Sequence, residues 1–246
     1  MSRALVFVGS IILAGCVTTN EPLNVLSLSS PESPTLLASP TKSGAVVETP
    51  ATTMIGLAFS GEGTRASAYS FGMLKQLAAT PMPGNKDKSM LDSVRFVSGV
   101  SGGSVTAAWF GLKGEGGLES FREKYLIRDA EENLRENIVR PTNLLRAFTG
   151  GVNDRTGFGG WLDKNLFKGA RYSSLLANPK VVTWINASDI YNNTPFVFEP
   201  QTFRALCSNL ANLPISEAVA ASAAVPVIPS AIIIDRYVRN HAYRLM

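Results

Sequence analysis

The sequence predicts a three-layer α/β/α domain, in which a mainly parallel central sheet carries helices on its faces. Two observations support this fold: residues 54–80 and residues 94–112 each run from a short apolar strand through a glycine turn into a helix. The chain has 246 residues, of which 45% are apolar and 17% charged. A chain of this size and composition builds one large core and is not a disordered polymer.

The first 15 residues are predicted to be a signal segment that is not part of the fold. Arg3 precedes an apolar run of about a dozen residues, too short for a stable membrane span, which ends in Leu13-Ala14-Gly15-Cys16. This arrangement resembles a bacterial lipoprotein signal, which implies that Cys16 becomes the lipidated first residue of the mature protein. An ordinary secretory signal with a chance cysteine is the alternative. Under either interpretation the protein leaves the cytosol.

Residues 16–53 are predicted to be the lipidated cysteine and a tether, because about half of residues 17–53 are Ser, Thr or Pro, without a helical or strand period. The lipid anchor places the protein in the cell envelope, facing the periplasm or the cell exterior. Cys207 is the other cysteine, so no disulfide within the chain is expected, and we predict that its side chain is a small buried one. A net charge of +4 without a basic block favours no nucleic-acid partner.

Residues 54–246 are predicted to be the folded domain. In its first unit, Met54–Phe59 is the strand and Arg65–Thr80 the helix. Between them, Gly61-Glu62-Gly63-Thr64-Arg65-Ala66 is open to three interpretations: a dinucleotide-binding turn, a plain tight turn, or an oxyanion loop. The dinucleotide motif requires an acidic residue near the end of the next strand, whereas Asp87 precedes that strand. We therefore favour the oxyanion loop and expect no nucleotide.

The second unit carries the candidate nucleophile. Gly99-Val100-Ser101-Gly102-Gly103 joins the strand Val94–Ser98 to the helix Ser104–Leu112 and fits the Gly-x-Ser-x-Gly nucleophile elbow. A serine on such a turn needs glycines two residues before and after it, because the strand and helix backbones nearly touch there. The positive end of the helix also favours negative charge developing beside Ser101.

Together these motifs resemble those of the patatin-like phospholipases, lipid acyl hydrolases with a serine–aspartate dyad. The resemblance rests on Gly61–Arg65, on Gly99–Gly103 about forty residues later, and on three later segments in the family's order. These are a strand pair at Trp184–Asp189 and Pro195–Phe198 and a small-residue helix at Ile215–Pro226, for which we favour close packing over a chemical role. The family implies that Ser101 is the nucleophile, that Gly61, Glu62 and Gly63 hold the oxyanion, and that the substrate is a lipid or acyl ester, with no cofactor.

The sequence departs from the family pattern in two places. The oxyanion loop usually has a glycine at the position of Glu62, whose Cβ is a penalty if φ is positive. The family's dyad aspartate is followed by glycine, whereas none of the seven aspartates here is. We therefore expect the domain to be incomplete at its C-terminal end, just before the dyad aspartate. The predicted function is a membrane-anchored serine acyl hydrolase that is inactive as this chain; a non-catalytic binding or scaffold lipoprotein is the alternative.

Three further features are less specific. Ser101, Asp189 or Asp235, and His241 have the chain order of an α/β-hydrolase triad, but Asp235 is only six residues before His241, so a solvated His241 is favoured. No cluster of metal-ligand residues suggests a metal site. Mixed charges at 117–139 indicate solvated helix faces, while the apolar residues between 144 and 167 fit either a mobile cap or a core helix.

Overall fold

The computed structural model describes residues 53–128, 157–189, 192–224, 234–238 and 241–245. The predicted signal segment, Cys16 and nearly all of the tether lie outside these ranges. The apolar residues Leu144, Leu145 and Phe148 also lie outside them.

The described elements alternate between strands and helices over most of the domain. The strands are β1 (Ile55–Phe59), β2 (Pro81–Met82), β3 (Asn85–Ser89), β4 (Val94–Val100), β5 (Val182–Asp189), β6 (Thr194–Phe198), β7 (Ile234–Val238) and β8 (His241–Leu245). The α-helices are α1 (Gly63–Ala79), α2 (Gly102–Lys113), α3 (Leu118–Phe121), α4 (Phe158–Leu162), α5 (Tyr172–Leu176), α6 (Pro200–Ala205) and α7 (Ile215–Ser222). Short 3₁₀ or π-helical turns cover Met90–Ser93, Glu115–Gly117, Arg122–Leu126, Asp163–Phe167 and Leu210–Asn212.

The central sheet has the strand order β1-β4-β5-β6. β4 runs parallel to both β1 and β5, whereas β6 is antiparallel to β5. This mainly parallel sheet flanked by helices confirms the predicted fold class. Since β1 and β4 are parallel neighbours, the loops that follow them emerge at the same edge of the sheet, and this edge brings residues 60–63 next to Ser101.

Both strand–turn–helix units form where the sequence predicts them. Each helix begins two residues earlier than predicted, at Gly63 and Gly102, because the chain enters each helix directly from one sharply turned residue, Glu62 or Ser101. Elsewhere the predicted polar loop after α1 is a hairpin, in which β2 and β3 pair antiparallel. The residues of these two strands do not alternate between apolar and polar, so the sequence lacks the pattern by which a strand is recognised.

Helix α2 lies at the centre of the core. Ten consecutive residues, from Gly102 to Gly111, are buried, which is typical of a helix that is apolar on all sides. One apolar cluster joins α2 to β5, β6 and α7, and another joins α2 to β1, β4 and α1. The helix that follows Ser101 is therefore held on every side by the rest of the domain.

The two faces of the sheet differ in burial. Phe59, Val97 and Ile185 point to one face and are buried under α1, α2 and α7. On the opposite face, Val182 and Trp184 of β5 remain 46% and 37% exposed, and Trp184 makes an edge contact with Phe96 at 4.9 Å between ring centroids. Helices α1, α2 and α7 therefore form a helical layer on the first of these faces.

The apolar segment around α4 belongs to the core. Leu162, Leu166 and Phe167 are buried in the same cluster as α2 and α7, so of the two interpretations left open for this part of the chain, the core helix holds for these residues. Tyr125 and Phe121, in the charged segment after α2, also bury their rings there. The prediction of solvated helix faces therefore holds for only part of that segment.

The prediction that Cys207 is buried is wrong: its side chain is exposed. Cys207 lies in the turn after α6 with a φ of 52°, and its neighbours Leu206 and Ser208 are both buried. Because the turn directs these two side chains inwards, the side chain between them points to solvent. Among the described helices, none combines the length and hydropathy needed to cross a membrane.

Candidate active site

Ser101 forms the turn between β4 and α2. Its φ of 51° and ψ of −125° are backbone angles that a residue with a side chain rarely adopts. The N–H and the hydroxyl of Ser104 both donate to the Ser101 carbonyl oxygen, at 2.9 and 2.6 Å. The turn is thus closed by the first residues of α2, and the half-buried Ser101 lies at the N-terminal end of that helix.

The glycines on both sides of Ser101 allow β4 and α2 to approach closely. A Cβ on Gly99 would lie 2.6 Å from the Gly103 carbonyl oxygen, and a Cβ on Gly103 would lie 2.5 Å from the Ser60 carbonyl oxygen. Backbone atoms cannot move aside as a flexible side chain can, so neither position has room for a larger residue. This is the close strand–helix contact that the Gly-x-Ser-x-Gly pattern predicts.

Residues 61–63 lie directly against this turn. A Cβ on Gly61 would be 3.2 Å from the Ser101 Cβ, and a Cβ on Gly102 would overlap the Gly63 carbonyl oxygen. Helix α1 begins at Gly63 and α2 at Gly102, so two helix N-termini meet beside Ser101. The first N–H groups of a helix have no partner within it and bind anions well, so this arrangement can stabilise an oxyanion.

Glu62 occupies the middle of this loop with a φ of 128°. A φ in this range is strained for a residue with a Cβ. This is the penalty expected at this position, where the family usually has glycine. The Glu62 carboxylate pairs with the Arg65 guanidinium at 3.3 Å, and both side chains are largely exposed. Such a pair adds little stability, but it places a positive charge beside the one carboxylate of the loop.

The dinucleotide interpretation of residues 61–66 fits the geometry poorly. The loop packs against the backbone of Gly102, where a dinucleotide site would need room for a pyrophosphate. Asp87 lies in β3 of the outer hairpin, where its N–H is bound by the Asn85 side chain. The strand next to β1 is followed by Ser101 instead of an acidic residue.

A network of buried hydroxyl and amide groups supports the turn. The Ser101 N–H donates to Ser222 Oγ at 2.8 Å, and Ser222 Oγ donates to the Asn186 carbonyl oxygen at 2.5 Å. On the α1 side, Ser67 Oγ donates to the Gly102 carbonyl oxygen at 2.5 Å. Sequence reasoning missed these residues. The signal available was a serine among small apolar residues in α7 and one facing the core in α1.

Two described aspartates, Asp163 and Asp189, have hydrogen-bond partners other than Ser101. Asp189, at the end of β5, accepts from the N–H and the side-chain amide of Asn192 at 3.1 and 2.6 Å. Asp163 accepts from the Gly169 N–H at 3.0 Å. Within the described ranges, none of these side chains is hydrogen-bonded to the Ser101 hydroxyl.

Asp235 and His241, the other triad candidates, lie on the antiparallel pair β7 and β8, where Asp235 is opposite Arg244 and His241 is opposite Val238. Cys16 lies outside the described residues. Groups of three or more potential metal-ligand side chains are absent from the part of the chain that the structure describes.

A parallel sheet, a serine on a strand–helix elbow and a glycine loop beside it define a hydrolase-type α/β domain. A sequence model of the patatin-like phospholipases matches residues 57–238. The chain therefore belongs to the patatin-like phospholipase family. A comparison with curated proteins gives no match.

One similar solved structure is a chain from the heterodimeric complex ExoU-SpcU of the type III secretion system of Pseudomonas aeruginosa. It is 18% identical, and the alignment covers 70% of this chain and 36% of that chain, with a TM-score of 0.33. At this TM-score the two folds share too little for residue roles to be compared.

Proposed function

We propose that this protein is a membrane-anchored serine acyl hydrolase that cleaves carboxylic ester bonds of lipids through an acyl-enzyme on Ser101. One observation carries the proposal: Ser101 is held with a φ of 51° at the start of α2, with Gly61 packed against it. The same arrangement supplies a nucleophile, a helix N-terminus and a neighbouring loop of backbone amides. Acyl transfer needs these parts together.

In the proposed reaction, Ser101 Oγ attacks the ester carbonyl carbon, and the carbonyl electrons move to the oxygen. Backbone N–H groups of residues 61–63 stabilise this oxyanion. The tetrahedral intermediate then expels the alcohol, which takes up the serine proton through a general base, and water hydrolyses the acyl-enzyme. In the family the base is an aspartate followed by glycine, a pair that is absent from this sequence.

The proposed anchor is a lipid on Cys16, joined to the domain by residues 17–53. A domain tethered at a membrane surface meets its lipid substrate at a raised effective concentration. We propose the cell envelope as the location, with the domain facing the periplasm or the cell exterior. Labelling with a fatty-acid analogue should modify the wild-type chain, and a Cys16→Ser variant that is still labelled would contradict the anchor.

The missing base leads to an expectation about turnover. Without it the Ser101 hydroxyl stays protonated, and the loss of catalytic members costs triad enzymes on the order of 10⁴ to 10⁶ in rate. We therefore expect residues 17–246 to hydrolyse p-nitrophenyl esters no faster than the Ser101→Ala variant. Clear Ser101-dependent turnover would require another base, with Asp189, Asp235 and His241 the first candidates.

The nucleophile itself is tested with a fluorophosphonate probe followed by peptide mapping. The probe reacts once and needs no deacylation step, and an oxyanion site alone retains about 10³ to 10⁴ of rate enhancement over water. Slow labelling that reaches one probe per chain is therefore expected at Ser101, with none in Ser101→Ala. A folded protein that stays unlabelled after a long incubation would refute the assignment of Ser101.

The strained Glu62 and the absence of an Asp-Gly pair favour a second candidate, a binding or scaffold lipoprotein that keeps the fold without chemistry. This candidate predicts binding to phospholipid vesicles with Ser101 inert to the probe. The hydrolase proposal predicts labelling at Ser101, so the same fluorophosphonate experiment separates the two.

A further inference from the structure

A buried hydroxyl at the end of α7 contacts the backbone of the candidate nucleophile. Ser222 is 8% exposed, and its Oγ accepts the Ser101 N–H at 2.8 Å. The same oxygen donates to the Asn186 carbonyl oxygen in β5 at 2.5 Å. A serine hydroxyl has one proton, so donation to Asn186 leaves only its lone pairs for Ser101. The direction of both hydrogen bonds is therefore fixed.

Asn186 extends this contact to the strand that carries Ser101. Its side-chain amide donates to Ser98 Oγ at 2.7 Å and approaches the Gly99 carbonyl oxygen at 3.2 Å. The end of β4 is thus held through Ser98 and Gly99, and the next peptide group is held through the Ser101 N–H. Ser222 and Asn186 together restrain the chain on the N-terminal side of the turn.

We propose that Ser222 is a positioning residue for Ser101, an inference that rests on the proposed function. The turn places Ser101 at a positive φ, which is unfavourable for a residue with a Cβ. A hydrogen bond to its N–H fixes the orientation of the peptide plane before Ser101 and thereby holds Cβ and Oγ in the direction of the 61–63 loop. The Ser101 N–H is also occupied, which leaves the oxyanion to the other amides of the site.

The chain offers a matched control on the same helix. Ser216 is also buried, and its Oγ lies 3.5 Å from Oδ1 of Asp163, a residue that is not part of the Ser101 turn. A Ser216→Ala variant removes a buried hydroxyl from α7 without touching the nucleophile. Ser222→Thr keeps the hydroxyl at the position in question, so it should restore what Ser222→Ala loses.

The first measurement is hydrogen–deuterium exchange at the Ser101 amide, read at single-residue resolution in the full chain. Loss of one hydrogen-bond acceptor should speed exchange at this amide about tenfold in Ser222→Ala, since one net hydrogen bond corresponds to roughly a factor of ten. Ser216→Ala and Ser222→Thr should stay close to wild type at this amide. A general loss of stability would instead speed exchange across α2 in both alanine variants.

The second measurement is the rate constant of fluorophosphonate labelling at Ser101. We expect it to fall about tenfold in Ser222→Ala, to be unchanged in Ser216→Ala, and to recover in Ser222→Thr. If wild type is not labelled, the proposed function fails, and amide exchange alone decides on Ser222. The positioning role is overturned if Ser222→Ala leaves the Ser101 amide as protected as wild type, or if its labelling rate matches that of Ser216→Ala.

Discussion

At the scale of single residues, Glu62 is the clearest conflict between sequence and geometry. Its φ of 128° is accessible to glycine at little cost, whereas a residue with a Cβ pays strain on the order of 1–3 kcal/mol. The side chain that causes the strain makes only an exposed ion pair with Arg65. The chain therefore keeps an unfavourable backbone at the loop beside Ser101 without a compensating buried contact.

Replacing Glu62 by glycine should stabilise the domain. Relief of the strain outweighs the extra backbone entropy of glycine, roughly 0.5–1 kcal/mol, so the unfolding free energy should rise by about 1 kcal/mol. Urea unfolding followed by circular dichroism measures this change. Glu62→Gln keeps the Cβ and removes the charge, so it should show no such gain. Equal stabilisation in both variants would mean that the charge, and not φ, is the source.

At the scale of elements, contact between the end of β1 and the start of α2 decides which residues position 103 accepts. Gly103 has backbone oxygens of β1 and the residue after it within 2.6 Å of the position of a Cβ, whereas Gly72 in α1 has open space around that position. Both glycines lie within helices, but only Gly103 is required by packing.

The variants Gly103→Ala and Gly72→Ala should therefore change stability in opposite directions. Overpacking against fixed backbone should cost Gly103→Ala at least about 2 kcal/mol, whereas alanine in an open helix position should add about 0.5–1 kcal/mol. Thermal unfolding of the two variants beside wild type provides the measurement. A Gly103→Ala protein as stable as wild type would show that the end of β1 and the start of α2 can separate.

The turn before β4 makes the stability of the domain depend on pH. The backbone N–H of Ser89, with a smaller contribution from its hydroxyl, lowers the pKa of Asp92 below its ordinary value. Because the folded pKa is the lower one, the stabilisation is present above the unfolded value of about 3.9 and is lost as the pH falls through the folded value.

Asp92→Asn should accordingly lower the unfolding free energy at pH 7 by about 0.5 kcal/mol, the low end for a helix cap, because the group is exposed. The difference from wild type should shrink as the pH falls below the unfolded value of about 3.9 and through the lowered folded pKa. Melting temperatures measured from pH 7 to pH 2.5 follow this change. A loss for Asp92→Asn that persists unchanged at low pH would contradict the cap.

At the scale of the whole molecule, the described helices cover one face of the sheet, and among the described residues several apolar side chains of the other face are exposed. Val182 and Trp184 lie on the exposed face, with Val100 of β4 41% exposed on the neighbouring strand. Apolar side chains grouped in this way attract other apolar surfaces. We therefore expect this face of the sheet to bind apolar dyes and to promote self-association.

The double variant Val182→Thr with Trp184→Thr should bind less of the dye anilinonaphthalene sulfonate and should elute with less self-association in gel filtration. Threonine keeps the β-branched shape that a strand favours while it removes apolar surface. Tyr69→Ser provides the control, because Tyr69 is 74% exposed but lies on α1. Equal dye binding by wild type and the double variant would show that this face is covered in solution.

Much of the fold could be predicted from the sequence because its signals are local. The apolar strands β1 and β4, the glycines after them and the helices that follow are contiguous patterns, and Ser101 could be recognised from five consecutive residues. The β2–β3 hairpin was missed because Asn85–Ser89 has no alternation of apolar residues. The prediction that Cys207 is buried is wrong because the direction of a side chain in a turn depends on its neighbours. Here the neighbours Leu206 and Ser208 are the residues that are buried.

The contact of Ser222 with Ser101 could not be predicted, because no local pattern relates residues on different elements. Its role follows from the position of α7 beside β5, which is a property of the packed domain. The close packing predicted for the small-residue helix explains the alanines of α7. The hydroxyl of Ser222, at the end of that helix, is explained only by its partners, the Ser101 N–H and the Asn186 carbonyl.

This hydrogen bond joins residues 121 positions apart in the chain, which has a consequence for the time at which the site matures during translation. A ribosome that adds about 5–20 residues per second needs roughly 6–24 s to travel from codon 101 to codon 222. During this interval the nascent chain already contains Ser101 and the glycine loop but not the Ser222 hydroxyl that binds the Ser101 N–H. The order of synthesis thus delays the final alignment of the nucleophile until most of the domain has left the ribosome.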